Sequence, residues 1–430
     1  MTAITTEPIE WSTSKKIAFR FFFAFFVLYV ILQPNGIIPF TDNLMEFYLH
    51  PMLLFIPWLA KHLLHLKVTV FSYGSGSGDR AFDYLVYLLV IILALITCAI
   101  WSLISKGTKN YSKLLYWLCV VIRYYAGITM LTYGGVKVIK LQFADPTPMK
   151  LIEPVGELSP FSLAWTYMGH SAGFNYFAGM AEITCGMLMF WRRTTTLGAV
   201  VGFVVAGNIV AINYCFDVCV KLLATNLLLM FTFLLVLDWK RLYNVFLANE
   251  NALPADISAP GFEKHWKNIA ITTFKYVLLA YVILGDAYNF IDASKKYGDN
   301  SKKPPLYGIY NVQYFIRNED TLAPLTTDTL RWRKLMINKF DDGAVKLMND
   351  SVKSYAIKDD TLKHQLIINT HADTVHKFRL NYTVIKPDIL MLKGAWKKDS
   401  IKVKLVKYDM KKFTLLNRGF RWVNEFSYSK

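Results

Sequence analysis

The chain has 430 residues, 54% of them hydrophobic and 15% aromatic, with a formal net charge of +17. That apolar content exceeds what a soluble globular chain of this length needs, so the composition reads as an integral membrane protein. Its cations gather at the ends of apolar runs and through the last third of the chain, not in an aromatic-interleaved basic groove, which argues against a nucleic-acid binder. The five cysteines, Cys98, Cys119, Cys185, Cys215 and Cys219, lie in or beside apolar runs and show neither a disulfide framework nor zinc-finger spacing.

Residues 1–14 are polar and read as loose. The first membrane span runs from Ile17 to Gln33 and is stopped by Pro34, Asn35 and Gly36. Lys15 and Lys16 precede it and no small-residue cleavage site follows, so it reads as a retained helix, not a removed signal. Arg20, about one turn inside the cytoplasmic end, is expected to snorkel to the headgroups. From Asn43 to Leu66 the apolar pattern is interrupted by His50, Pro51, Pro57, Lys61, His62 and His65. This stretch reads as short helices lying at the outer interface, with Trp58 at headgroup level. His62 and His65 are three apart but lack a third ligand nearby, and read as solvated. Alternating glycines in Ser72–Arg80 mark a flexible turn, since no buried strand precedes them and no Gly-Lys-Ser/Thr ending follows. Asp79 and Asp83 then sit where carboxylates suit the N-terminus of a second span, Phe82–Ile104.

The third span, Leu114–Tyr133, holds Arg123, and the fourth, Asn175–Trp191, holds Glu182. Between them lies an outer loop with Pro146, Pro148, Pro154 and Pro160 and an interfacial stretch at 159–165. A fifth span, Leu197–Tyr214, is rich in small residues, and a sixth runs from Leu222 to Leu237. A seventh, Ile269–Leu284, carries Lys275. Lys106, Lys109, Lys113, Arg192, Arg193, Lys240 and Arg241 mark the inner loops, which with Lys15 and Lys16 puts the N-terminus in the cytoplasm and everything after the seventh span outside. Lys137, Lys140 and Lys150 in an outer loop fit that rule less cleanly. Residues 1–110 thus form an N-terminal pair of spans with the interfacial segment, 111–243 a four-helix core, 244–293 a cytoplasmic loop and last span, and 294–305 a linker. Residues 306–430 alternate apolar and polar, as at Leu380, Tyr382, Val384 and at Ile401, Val403, Leu405, with turn signals such as Asp341-Asp342-Gly343. They predict an antiparallel β meander or small barrel outside the membrane. In Arg418–Glu425, Trp422 is expected either to close that barrel or to stand on a docking surface. His364, His371 and His376 show no ligand spacing.

Arg123-Tyr-Tyr-Ala-Gly127 followed by Tyr133-Gly-Gly-Val-Lys137 resembles the first helix of DoxX-like membrane proteins. Ala181-Glu182-Ile-Thr-Cys-Gly186 with Arg192, Arg193, Leu197 and Gly198 is similar to that family's second helix and its cytoplasmic turn. The resemblance covers about a third of the chain. It implies a four-helix bundle in the bacterial plasma membrane, extended here by about three further helices and the β domain. Named members of that family are linked to quinol oxidase complexes and to thiosulfate:quinone oxidoreduction. The resemblance therefore implies a membrane component of a quinone-linked redox or respiratory system, with quinone the one cofactor it suggests and membrane-complex subunits as partners. It transfers no catalytic motif.

A charge at mid-membrane costs about 2.5–3.5 kcal/mol on insertion scales, so Arg123 and Glu182 are expected to face each other inside the bundle. Asn208 and Asn213 on the fifth helix, Asp217 and Lys221 in the turn after it, and Lys137 are expected to form a polar cluster at the outer mouth. Two readings of that cluster stand: a quinone-headgroup or small-substrate site in which Asp217 exchanges protons and Lys137 or Lys221 holds the negative partner, or an interfacial salt-bridge network. Cys215 and Cys219, four apart, read as small hydrophobes. For the whole chain, the alternative to a quinone-linked subunit is a non-enzymatic scaffold or transport-related protein whose β domain binds an envelope protein or ligand.

Overall fold

The computed structural model describes residues 10–69, 78–252, 254 and 264–427. Most of the glycine turn at 72–80, the first nine residues and much of the cytoplasmic loop lie outside them. The chain forms two units: Met1–Gln142 with Gly173–Ala293, and Phe143–Ala172 with Ser294–Lys430.

The first unit is helical. Helix α1, Thr13–Leu32, starts where the Ser12 hydroxyl accepts from the Lys15 amide, satisfying one of the free donors of a helix N-terminus. Helix α2, Asp42–Leu63, is one continuous helix through Pro51 and Pro57, not the expected short pieces. Its Phe47, Leu54, Trp58 and Leu63 are exposed. Helix α3, Ala81–Ile104, opens with the carboxylate of Asp83 bonded to the Arg80 amide at 3.0 Å. Helix α4 spans Ser112–Val138, and α5 (Pro148–Ile152) and α6 (Pro160–His170) belong to the second unit. Helices α7 (Ala172–Met189), α8 (Thr195–Cys215), α9 (Lys221–Leu237), α10 (Trp239–Tyr243) and α11 (His265–Lys296) complete the first. Asp79, expected at the start of α3, instead caps α9: its two oxygens accept from the Lys221 and Leu222 amides at 2.7 and 3.0 Å. Among the described residues, Ala81–Ile104, Ser112–Val138, Arg192–Cys215 and His265–Lys296 are long and apolar enough to cross a membrane, and a fifth crossing results if α9 and the helical segment bent 75° from it count as one.

Arg20 does not snorkel. It is buried, and its guanidinium donates to the Tyr111 hydroxyl at 2.7 and 3.0 Å, to Ser102 Oγ at 2.9 Å and to the Ser105 carbonyl at 3.2 Å. Satisfying the donors locally removes the reason to reach for the interface.

The second unit is a closed antiparallel β-barrel. Strands β1 (Gly308–Arg317), β2 (Asp320–Thr321), β3 (Trp332–Ile337), β4 (Asp342–Leu347), β5 (Val352–Asp360), β6 (Gln365–Thr370), β7 (Asp373–Lys386), β8 (Ile389–Trp396) and β9 (Asp399–Tyr408) each pair with a neighbour. Strand β1 also pairs with β9, from Ile309 opposite Tyr408 to Arg317 opposite Ile401, which closes eight strands around a core; the two-residue β2 only extends β1. Closure leaves none of the eight closing strands as a sheet edge. The interior is filled by the barrel's own side chains, including Leu335, Leu366, Leu380, Leu392 and Val403, and the Trp332 and Trp396 rings meet edge to face at 4.9 Å. Outside, Met149, Leu151 and Ile152 of α5 pack on Ile309, Met336 and Ala344. The peptide Arg418–Glu425 is not a closing strand. It follows helix α12 (Thr414–Asn417), and Trp422 is 91% exposed. Since β1 and β9 already complete the ladder, no strand position is left for it.

Candidate functional site

The helical unit's interior is set by four glycines. On α4, Gly127 and Gly134 stand seven residues apart, as do Gly179 and Gly186 on α7, so each pair lies on one helix face. A Cβ added at Gly134 would meet the Gly179 carbonyl oxygen at 2.7 Å, and one at Gly186 would meet that of Gly127 at 2.7 Å. The two helices therefore run antiparallel with their backbones in contact, as small residues allow.

This approach decides which charges meet. Lys137 Nζ donates to both oxygens of Glu182, at 2.7 and 2.8 Å, with both side chains buried. Arg123, expected opposite Glu182, donates instead through Nε to the Met189 carbonyl at 2.8 Å. With Gly127 level with Gly186, Arg123 lies about 12 Å along the axis from Glu182, whereas Lys137, counted from Gly134 and Gly179, lies about 9 Å away and has a longer reach. Arg123 thus closes the C-terminus of α7, where unpaired carbonyls and the negative end of the dipole favour a cation. Lys275 of α11 joins it, donating to the Phe190 carbonyl at 2.7 Å, and Thr194 Oγ1 donates to Leu188 at 2.6 Å.

The expected cluster does not assemble as one site. Asp217 and Lys221 pair at 2.8 Å, and Lys221 lies 3.9 Å from Asp79. Asn213 donates to the Val220 carbonyl at 3.2 Å within the same turn. Asn208 is exposed on α8, and Lys137 sits with Glu182. Helix α8 ends at Cys215 and Asp217 is left-handed with φ 52°, so Cys215 and Cys219 share no helix face; both are exposed and neither is in a disulfide. The sequence reading missed Asp286, a buried carboxylate on α11 that accepts from the Thr132 hydroxyl at 2.7 Å. The apolar run stops at Leu284, which placed Asp286 beyond the span, yet the helix continues to Lys296.

One cavity in this unit measures about 320 Å³ and is lined by Val30, Ile31, Ile37, Ile38, Leu44 and Tyr125, among others. Its polar groups are already engaged. Tyr125 OH donates to the Gln33 carbonyl at 2.8 Å and accepts from Asn35 at 2.7 Å, while Tyr48 OH donates to the Ile31 carbonyl at 2.9 Å. The wall presented to a guest is hydrocarbon, which suits an apolar chain.

No family model and no solved structure matches the chain. Over 144 residues it is 33% identical to the uncharacterized protein YwoB of Bacillus subtilis (strain 168), a match covering 92% of that protein and 34% of this chain. The chain belongs to the YwoB family. YwoB is itself uncharacterized, so membership brings no activity with it, and about two thirds of this chain lies outside the YwoB match.

Proposed function

We propose that the chain is a seven-crossing plasma-membrane protein with a cytoplasmic N-terminus, whose helices anchor a β-barrel on the extracytoplasmic side, where the barrel binds an envelope partner. Helices α1 and α7 supply the two crossings beyond the apolar set. They have 20 and 18 residues, about 30 and 27 Å, close to the thickness of the hydrocarbon core. The glycine contact of α7 with α4 supports its crossing. The basic inner loops support the orientation.

The observation that carries the binding role is the barrel itself. Its interior is filled by its own side chains apart from a cavity of about 60 Å³ lined by Trp332, Trp396, Arg317 and Asp399 among others, room for a few waters only. Its outer wall is therefore the larger surface for a partner, and that region is strongly basic: residues 294–430 hold 27 Lys and Arg against 14 Asp and Glu, a net +13 of the chain's +17. The buried ions of the bundle, by contrast, are held by one another, by helix-end carbonyls and by hydroxyls, as an anchor requires. A photo-crosslinker placed at Lys404 on the wall should yield a discrete adduct in living cells. Labelling there no stronger than at Phe203, exposed on α8, would refute the binding role.

A second reading, the quinone-linked role that the resemblance to DoxX-like proteins implies, is favoured by the apolar cavity beside Tyr125. Solvent extraction of purified protein should then recover about one quinone per chain, and Ile37→Trp, which fills the cavity, should abolish it. Quinone at trace levels in both proteins would dismiss that reading.

A further inference from the structure

We infer that the barrel wall formed by β7, β8, β9 and β1 binds a phosphate-bearing polyanion. This rests on the reading that the barrel's outer wall is its binding surface, and names the partner's chemistry. The argument starts from strand register. Lys393 of β8 stands directly opposite Lys402 of β9, and Lys404 follows on the same face, opposite Met391. All three side chains alternate with buried Leu392, Val403 and Leu405, so they point outward. Directly opposed side chains in an antiparallel pair lie about 5 Å apart, and like charges in that position destabilise the sheet.

The same barrel shows what relief looks like. Lys334 and Lys346 are also directly opposed, on β3 and β4. There, Asp350 bonds Lys346 at 3.0 Å and the Asn311 side chain accepts from Lys334 at 2.7 Å. Lys393 and Lys402 are exposed and have no carboxylate partner among the described residues. Lys404 meets the Tyr314 ring at 5.9 Å and has no carboxylate partner among the described residues. The row through Lys393 continues to Asn381 of β7, with Arg379 beside it on the same face. The outward positions of 377–383, 391–395 and 400–406 contain no Asp or Glu.

Three lysine positions within about 5–8 Å of one another match the singly charged phosphates that follow directly on each other along a phosphate chain better than the carboxylates of an acidic peptide, which the backbone sets farther apart. Arg379 extends the cationic row by a further strand, about 5 Å, beyond one phosphate's reach, which favours a chain of phosphates over a single one.

The test uses the full chain in a zwitterionic detergent, with long-chain inorganic polyphosphate as the probe, and polyglutamate and anionic lipid vesicles as competing classes. Lys393→Glu turns the repulsive rung into an ion pair with Lys402, so folding should be preserved or improved while polyphosphate binding falls by about tenfold or more. The slope of log affinity against log salt should flatten by about one to two. Lys402→Gln is the second variant, and Lys363→Glu in the β5–β6 turn should bind as the parent does. Equal affinity for polyglutamate, binding to vesicles but not to polyphosphate, or unchanged binding by Lys393→Glu would each overturn the inference. An in vivo adduct at Lys404 that persists in Lys393→Glu would leave the anchor reading standing while this one fails.

Discussion

At the scale of single residues, the Lys137–Glu182 pair is closed by two short hydrogen bonds inside the bundle, so its members are worth more together than apart. Removing one partner leaves an uncompensated buried charge, a loss of about 3–5 kcal/mol, whereas replacing both with apolar residues of similar size is near neutral. Lys137→Met should therefore lower the melting temperature of the detergent-solubilised protein sharply, and Lys137→Met with Glu182→Leu should recover most of it. Additive losses would show that the two do not act as a pair. In the barrel, Asp359 accepts from the Tyr382 hydroxyl at 3.0 Å. Burial raises its carboxyl above the ordinary value against the lowering effect of that hydrogen bond. The Tyr382 hydroxyl, pushed up to about 12 by burial and by Asp359, remains a donor throughout. An acid raised in the folded state binds more protons folded than unfolded between its ordinary and raised values, so stability falls as pH rises through that window and stays lower above it. Asp359→Asn keeps the acceptor oxygen and should raise the barrel's melting temperature at neutral pH, with the difference vanishing below the ordinary carboxylate range. A difference independent of pH would assign the effect elsewhere. Which residues were buried and ionic was legible from sequence at Arg123 and Glu182; which one each would meet was not. Depth within a span does not give the helix offset, and that offset comes from glycines whose contact partners lie more than 40 residues away.

At the scale of elements, α4 and α7 depend on side chains that are missing. A Cβ at Gly134 would meet the Gly179 oxygen at 2.7 Å and the Ile183 amide nitrogen at 2.9 Å, both within α7 rather than at the end of a flexible side chain. Gly134→Ala should force the helices apart and cost about 1–3 kcal/mol, also loosening Lys137 from Glu182. Gly207, on α8, has nothing within 4 Å of an added Cβ. Gly207→Ala should be neutral or slightly stabilising through helix propensity. Equal melting temperatures for the two alanine variants would discard the packing argument. Helix positions were readable because each long helix is marked by an apolar run. Their continuation was readable too: the sequence carries the third span on from Tyr133 through Lys137 and lets polar neighbours extend the seventh past Leu284, and α4 runs to Val138 and α11 to Lys296, since intrahelical bonding does not stop where hydropathy does. Strand alternation likewise announced the β region. Closure by β1 on β9, about 90 residues apart in sequence, was hidden, because pairing between distant strands leaves no local mark and the aromatic Arg418–Glu425 peptide offered a false candidate.

At the scale of the whole molecule, topology turns on parity. The helices α3, α4, α8 and α11, with α9 as the bent fifth, make an odd set. Adding both α1 and α7 gives seven and again puts the N-terminus and the barrel on opposite sides; adding only one gives six and puts them on the same side. The antiparallel contact of α7 with α4 extends over at least the two turns between Gly127 and Gly134, and α7 is about as long as the hydrocarbon core is thick. Helix α1 lies against α3 through Phe23 and Trp101, whose rings are 5.6 Å apart, and buries Arg20 rather than surrendering it to the interface. The proposed topology therefore has both cross together. In a variant freed of its native cysteines, a membrane-impermeant maleimide added to intact cells stripped of any outer membrane should label Ser351→Cys in the β4–β5 turn. It should leave Ser105→Cys and Thr195→Cys, on the two expected inner loops, unlabelled until the cells are opened. Labelling of Ser105→Cys in intact cells would reverse the orientation, and labelling of Ser105→Cys and Thr195→Cys on opposite sides would remove α7 from the crossing set.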